Sequence, residues 1–349
     1  MDVVTVLGAR PQFIKAAPVS KALAHVGLRE GLLHTGQHYD EKMDAIFFRE
    51  LSIPFPVENL RVGSDSHGRQ TAKMLIGVED FLRKSNPALV LVYGDTNSTL
   101  AGALAAVKLG IPVAHIEAGL RSYNIAMPEE VNRRMTDHIS RLLFCPSDHA
   151  AENLRTEGIV NDVFVTGDVM LDAVNAFREA AFLRTLPEGL TRDSYYLLTI
   201  HRPSNVDDPD RLACILRMIE TLDYPVLWPI HPRTLARLDV SKLPQNLIVS
   251  EPLGYLDLLN ALGKSKALIT DSGGMQKEAY WLQRKCITLR KETEWVETLE
   301  GGWNTLLPPG SEVEIAAILA RTPDSWKPLY GNGNAATDIA ANLLQFLKT

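Results

Sequence analysis

Short runs of β-branched and aliphatic residues alternate with helix-forming stretches along the whole chain, and this alternation limits the fold more than any other feature. The runs fall at 3–7, 32–35, 89–93, 113–116, 142–145 and 163–166, then at 195–200, 226–230, 247–250, 267–270, 286–289 and 305–307. Strand and helix signals in strict alternation are the signature of parallel α/β layers. The two halves match in architecture without repeating residue by residue.

The length of 349 residues suits roughly two domains at about 150 residues each. Between the two sets of runs, 171–183 reads as a helix, and 185–194 carries the breakers Pro187 and Gly189 with few apolar residues. A boundary near 170 follows, giving an N-terminal domain over 1–170 and a C-terminal domain over 171–333. Beyond the turn-rich Tyr330-Gly331-Asn332-Gly333, residues 335–347 form an amphipathic helical pattern, and 334–349 can pack back on the first domain or cap the second.

The chain is 46% hydrophobic and 22% charged, enough apolar surface for more than one core, which excludes disordered, fibrous and disulfide-scaffold classes. Its formal charge of −6 argues against a broad surface for nucleic acid or anionic membrane, so an anionic ligand has to be held by a local cluster of cations. Cys145, Cys214 and Cys286 stand far apart with no CxxC spacing and read as thiols in a reducing compartment. The start of the sequence has no basic segment followed by a long apolar stretch, so neither a signal peptide nor a membrane span is expected, and the expected compartment is the cytoplasm.

In open parallel sheets, ligands bind beyond the carboxyl ends of the strands, and here those positions are rich in polar residues. The first run ends in Gly8-Ala9-Arg10-Pro11-Gln12-Phe13-Ile14-Lys15, a glycine turn into a helix start. Free backbone N–H groups and the helix dipole attract anions there, and Arg10 and Lys15 add full positive charges. A tight turn with solvated cations is the plainer alternative. Asp95 follows 89–93, Glu117 ends the run to Ile116, and Glu129 opens a helix in Met127-Pro128-Glu129-Glu130. Carboxylates brought together at strand ends repel and desolvate one another, raising a pKa toward the range acid–base chemistry needs. For Asp95 and Glu129, helix capping is the competing explanation.

The second half places His201 and Arg202 together at the end of its first strand. Further on, Thr270-Asp271-Ser272-Gly273-Gly274 joins a strand to a helix. Adjacent glycines let a backbone approach a phosphate closely, with N–H donors from the helix start. Glu278, one turn inside that helix, can accept from both hydroxyls of a ribose or stand as a solvated carboxylate.

Taken in order, the stretches Gly8-Ala9-Arg10-Pro11 through Lys15, Gly36-Gln37-His38, Gly94-Asp95-Thr96, His115-Ile116-Glu117-Ala118-Gly119-Leu120-Arg121, Pro128-Glu129-Glu130 with Asn132-Arg133, His201-Arg202, and Asp271-Ser272-Gly273-Gly274 through Glu278 resemble the non-hydrolysing UDP-N-acetylglucosamine 2-epimerase family. The resemblance implies two Rossmann-like domains facing across a cleft, the GT-B fold. It implies inversion at carbon 2 of a UDP-2-acetamido sugar with no cofactor and no metal, by anti elimination of UDP to a 2-acetamidoglucal and re-addition. Carried over to this sequence, Asp95, Glu117 and Glu129 are the acid–base group and His201 acts near the leaving diphosphate. Arg10, Lys15 and Arg133 neutralise that diphosphate, Arg202 joins the UDP site, Ser272, Gly273 and Gly274 hold phosphate, and Glu278 holds the ribose. The expected partners are a UDP-sugar and a second copy of the chain in a homodimer, with no nucleic acid and no membrane.

Three departures bear on the substrate. Met127 stands where many members have tryptophan. Thr293-Glu294-Trp295-Val296-Glu297 replaces a run that carries arginine, a variant resembling epimerases of the 2,3-diacetamido uronic acid. Tyr39 stands where regulated members have arginine, a departure from their second, activating substrate site, of which Arg69-Gln70 matches part. A carboxylate-bearing sugar would need a further cation, for which Arg121, Arg134 and Arg202 are candidates. A GT-B glycosyltransferase would need an acceptor site, and an idle nucleotide-sugar sensor would not need the acids.

Overall fold

The computed structural model describes residues 1–37, 48–230, 232–235, 238 and 243–349, the side chains at 203, 232 and 233 apart. His38 and Tyr39, singled out above, lie outside the described residues. The rest gather into two compact units, 1–176 with 330–349, and 177–329.

The first unit is built on a seven-stranded parallel sheet of β1 (Val3–Leu7), β2 (Glu30–His34), β3 (Glu58–Asn59), β4 (Leu89–Tyr93), β5 (Val113–Ile116), β6 (Leu142–Cys145) and β7 (Val163–Val165), in the order β3-β2-β1-β4-β5-β6-β7. Its helices are α1 (Arg10–His25), α2 (His67–Ser85), α3 (Asn97–Lys108), α4 (Pro128–Ile139) and α5 (Asp148–Thr156). Strands β1, β4, β5 and β6 are buried at every residue. Burial on both faces explains why they read as continuous apolar runs rather than alternating ones. Leu91 is completely buried at the centre, where truncation to alanine costs about 2–5 kcal/mol. Strand β3 is absent from the sequence reading because two residues carry no periodicity.

The helix boundaries follow from local chemistry. Pro11 sits in the first turn of α1, where its missing N–H costs nothing. Thr96 caps α3 by accepting from the N–H of Thr99 at 3.3 Å. Asn86, in the left-handed conformation, closes α2.

The second unit holds β8 (Tyr196–Thr199), β9 (Val226–Pro229), β10 (Leu247–Ser250), β11 (Ala267–Thr270), β12 (Lys285–Thr288) and β13 (Asn304–Leu306), all parallel, in the order β10-β9-β8-β11-β12-β13. Alternate residues feed opposite faces. Leu198, Trp228, Ile269 and Ile287 enter one core, and Leu197, Leu227, Leu268 and Cys286 the other.

The chain passes between the units within α6 (Val169–Phe182), and it returns at Tyr330 to end in α10 (Ala335–Lys348), where α7 (Pro209–Glu220), α8 (Tyr255–Lys264) and α9 (Gly273–Trp281) belong to the second unit. Helix α10 packs on α1. The buried Asp172 of α6 accepts from the N–H groups of Ala335 (3.3 Å) and Ala336 (2.9 Å), capping the returning helix.

In both sheets the strand order reverses beside the first strand: β1 lies between β2 and β4, and β8 between β9 and β11. Ligand sites of doubly wound sheets form at that reversal, beyond the carboxyl ends.

Candidate active site

In the first unit the turn after β1 is held tightly against the end of β4. A Cβ on Gly8 would lie 2.0 Å from Ser98 Oγ and 2.2 Å from Thr35 Oγ1, so glycine is required for this approach. Gln12 reaches back from α1: its Oε1 accepts from the N–H of Gly8 (2.8 Å) and Ala9 (3.0 Å), and its Nε2 donates to the Tyr93 carbonyl (2.9 Å). Half-buried Arg10 opens the helix, and Lys15 is buried one turn on.

The acids converge on this place from three elements. Lys15 Nζ is bonded to the carboxylate of Glu117, both side chains nearly inaccessible. Glu117 has a backbone φ of +70°, a conformation costing on the order of 1–3 kcal/mol for a residue other than glycine and kept where the surroundings demand it. Gly94, at φ +63°, faces the pair; a Cβ there would come within 3.0 Å of Glu117 Oε2. The next residue, Asp95, is bonded to Arg133 of α4. Asn132 donates to the Asp95 carbonyl at 3.0 Å.

Asp95 keeps 29% of its side chain exposed, although protein crowds it on its other sides. That desolvation raises its pKa, the nearby carboxylates of Glu117 and Glu129 push the same way, and Arg133 and Lys15 oppose without prevailing. Of the adjacent glutamates at the start of α4, Glu129 is exposed, whereas Glu130 is fully buried and structural. Glu130 accepts from the N–H (2.8 Å) and Oγ (2.9 Å) of Ser122 and from the N–H of Tyr123 (3.2 Å).

Arg121, a candidate for binding a sugar carboxylate, is withdrawn by the structure. Its side chain is inaccessible and committed to Asp137 (2.6 Å) and, through two bonds of 2.8 Å, to Glu157. Arg134 is partly exposed and lies 3.5 Å from Glu157.

In the second unit Asp271, at the end of β11, organises the end of β8. Its carboxylate accepts from the N–H of His201 (3.1 Å), the N–H of Arg202 (3.0 Å) and Asn205 Nδ2 (3.0 Å), and His201 Nδ1 lies 3.1 Å away. Burial alone would raise its pKa; the hydrogen bonds from His201, Asn205 and the Arg202 backbone outweigh it and hold the carboxyl below its usual value. Arg202 Nε donates to the Asp271 carbonyl at 3.0 Å. Sequence reasoning gave Asp271 no role, because its work is to orient residues some seventy positions away.

Ser272 precedes α9, Gly273 and Gly274 form its first turn, and all three are partly exposed. A Cβ on Gly274 would meet no described atom within 4 Å, and one on Gly273 would come no nearer than 3.6 Å to Trp295 Nε1. Neither glycine is therefore demanded by packing. Glu278 is buried one turn on. The Thr293-to-Glu297 run, which lacks the arginine, still meets two cations. Arg290 forms paired bonds of 2.9 and 3.0 Å with Glu294, and the Lys277 ammonium lies 3.4 Å from the centre of the Trp295 ring. Both Arg290 and Glu294 come to about 4 Å of a Cβ position on Gly273.

Among the described residues no group of three or more His, Cys, Asp or Glu is placed to hold a metal ion, and no helix is long and apolar enough to cross a membrane.

Two parallel α/β sheets, each with charged side chains at the point where its strand order reverses, define an enzyme of the two-Rossmann-domain class. The family model for UDP-N-acetylglucosamine 2-epimerase matches residues 21–344. A UDP-N-acetylglucosamine 2-epimerase homolog from Methanococcus maripaludis is 46% identical over 97% of this chain and 98% of its own. The UDP-2,3-diacetamido-2,3-dideoxy-D-glucuronate 2-epimerase of Pseudomonas aeruginosa is 44% identical over 98% and 99%. The crystal structure of the Methanocaldococcus jannaschii UDP-GlcNAc 2-epimerase in complex with UDP-GlcNAc and UDP superimposes with a TM-score of 0.91 at 42% identity, covering 99% of this chain and all of that one. The chain belongs to the UDP-N-acetylglucosamine 2-epimerase family.

Proposed function

We propose that the chain inverts carbon 2 of a UDP-2-acetamido sugar, converting UDP-N-acetylglucosamine to UDP-N-acetylmannosamine. The observation that carries this reading is the meeting of Asp95 and Glu117 at adjacent strand ends, with Glu129 near enough to influence Asp95. The hydrogen on carbon 2 is weakly acidic, so a base has to remove it while the bond from carbon 1 to the diphosphate oxygen breaks and its electron pair leaves with UDP. Re-addition then needs a proton delivered to the opposite face of the glycal as the carbon 1 to oxygen bond re-forms. One carboxylate cannot serve both faces, which accounts for more than one acid. Electrons balance over elimination and addition, so the reaction requires no redox cofactor.

In this assignment Asp95, Glu117 and Glu129 share the acid–base work, worth about 10²- to 10⁴-fold. Arg10, Lys15 and Arg133 offset the charge of the departing diphosphate, a group to which the family resemblance also assigns His201, and Arg202 joins the UDP-binding residues. Ser272, Gly273 and Gly274 hold phosphate through the start of α9, and Glu278 accepts from the ribose hydroxyls. Lys15 and Arg133 are each paired with one of the acids, so a shift of these cations toward phosphate would free Glu117 and Asp95 as the leaving group gains charge.

The 2,3-diacetamido uronic acid is the second reading, supported by Trp295 in place of arginine and by the Pseudomonas relative. We place UDP-N-acetylglucosamine first, the sugar named in the Methanocaldococcus jannaschii complex; the carbon 2 acetamido group is common to both sugars, so some reaction with UDP-N-acetylglucosamine is expected under either reading. The same proposal includes a cytoplasmic homodimer supplying activated sugar for cell-surface polysaccharide. Incubation with UDP-N-acetylglucosamine in D₂O, followed by NMR, is the test. The expected result is a new anomeric signal with deuterium entering at carbon 2, and no exchange with either sugar would overturn the proposal.

A further inference from the structure

His115 is completely buried as the penultimate residue of β5, two residues before Glu117, and both its ring nitrogens are engaged. Nε2 lies 2.7 Å from the Gly94 carbonyl, and Nδ1 lies 2.7 Å from Asp137 Oδ1. A backbone carbonyl only accepts. The Asp137 carboxylate also accepts, from Arg121 Nη1 (2.6 Å) and from the N–H of Gly119 (3.2 Å). The ring thus lies between two hydrogen-bonding groups, the Gly94 carbonyl on one side and the Asp137 carboxyl on the other.

These bonds join the two acidic turns. Gly94, immediately before Asp95, has its N–H bonded to the Ile116 carbonyl (2.9 Å) and its carbonyl held by His115, so both of its backbone groups are fixed to β5. Asp137 fixes Gly119 on the far side of Glu117. Along α4, Glu129, Arg133 and Asp137 are four residues apart and share one helical face. The face that brings Arg133 to Asp95 thus also brings Asp137 to His115.

We infer that His115 and Asp137 are a positioning pair that sets the separation of the Asp95 and Glu117 carboxylates, doing so through the Gly94 carbonyl and the Gly119 N–H. This rests on the acid–base assignment above. Neither residue touches the reacting atoms. Their effect is on the geometry of the residues that do, where an error of about 1 Å can cost on the order of 10²-fold.

Two substitutions separate this role from packing. In His115→Gln the amide nitrogen can take the place of Nε2 and keep the bond to Gly94; in His115→Asn it can take the place of Nδ1 and keep only Asp137. The expected result for His115→Asn is a fall in kcat of roughly tenfold to a hundredfold with KM within about threefold. His115→Gln should stay within about threefold of the parent in both. Amide hydrogen exchange in peptides covering 90–97 and 115–122 should quicken in the Asn variant and not in the Gln variant. Should His115→Asn fail to fold, His115→Leu, which fills much of the ring's volume and also removes the bond to the Gly94 carbonyl, is read the same way. An Asn variant with parental kcat, or equal losses in both variants, overturns the inference. If the parent protein epimerises neither sugar, the functional reading falls instead, and the exchange measurement still judges the pair: unchanged exchange in His115→Asn refutes it.

Discussion

The imidazole Nδ1 of His201 lies 3.1 Å from Oδ1 of Asp271, a carboxylate that is itself completely buried and also receives the backbone N–H of His201. A side chain 65% exposed is thus oriented by one that solvent does not reach. The pair bridges the ends of β8 and β11, where the order of the second sheet reverses. Asp271→Asn should leave the fold intact, because the amide oxygen can still accept one backbone N–H, while the hold on His201 weakens. We expect kcat/KM to fall roughly tenfold to a hundredfold, the range for loss of a partner that orients an active group. Parental kcat/KM would remove His201 from the reaction.

The acids give the plainest test. Asp95→Asn, Glu117→Gln and Glu129→Gln should each lower epimerisation by about 10²- to 10⁴-fold. Glu117→Gln additionally leaves the buried Lys15 without its carboxylate, so its thermal stability should drop where that of exposed Glu129→Gln does not. Full turnover in all three variants would dismiss the assignment.

Gly274 separates ligand contact from folding. Packing leaves room for a side chain there, and alanine is favoured over glycine in a helix by up to about 1 kcal/mol. Gly274→Ala should therefore match or exceed the parent in thermal stability and yet bind UDP more weakly by calorimetry, since the added methyl group would occupy the space of a phosphate. Undiminished UDP affinity would move the nucleotide site elsewhere.

Asp172 gives the stability a predictable pH dependence. Burial, partly offset by the N–H groups of Ala336 and Ala335, raises its pKa to about 6. Between its ordinary value and about 6 the folded state binds the extra proton, so the stability it contributes falls as pH rises through that window. The size is on the order of 2–3 kcal/mol. Denaturant melts at pH 4, 5, 6 and 7 should show the parent losing stability relative to Asp172→Asn as pH rises, and a pH-independent difference would contradict the assignment.

Arg121 and Arg202 should behave oppositely. Arg121→Met strands the buried Asp137 and should cost about 3–5 kcal/mol of stability. It should not change the ratio of kcat/KM between UDP-N-acetylglucosamine and the diacetamido uronic acid. Arg202→Ala should leave the melting temperature nearly unchanged, and should shift that ratio if the acidic sugar is preferred. A changed ratio in Arg121→Met would show that this arginine reaches substrate after all.

The alternation of apolar runs and helical stretches is enough to determine two parallel sheets, because strand and helix periodicities are local and each buried strand needs a helix on either face. The polar residues beyond those runs, Asp95, Glu117, His201 and Ser272 among them, were legible for the same reason: a strand's last residue is set by where its apolar run stops. What the tertiary structure alone decided is which of them meet. Lys15 finds Glu117 across 102 positions, Arg133 finds Asp95 across 38, and Asp271 finds His201 across 70. Nothing in a local pattern specifies such pairs, because they depend on strand order, on the reversal that sets β1 beside β4 and β8 beside β11, and on the face that α4 turns inward. The left-handed backbone of Glu117 and the buried work of His115, Asp137 and Asp271 arise at that level, where neighbours distant in sequence hold a residue in a place its own stretch would not select.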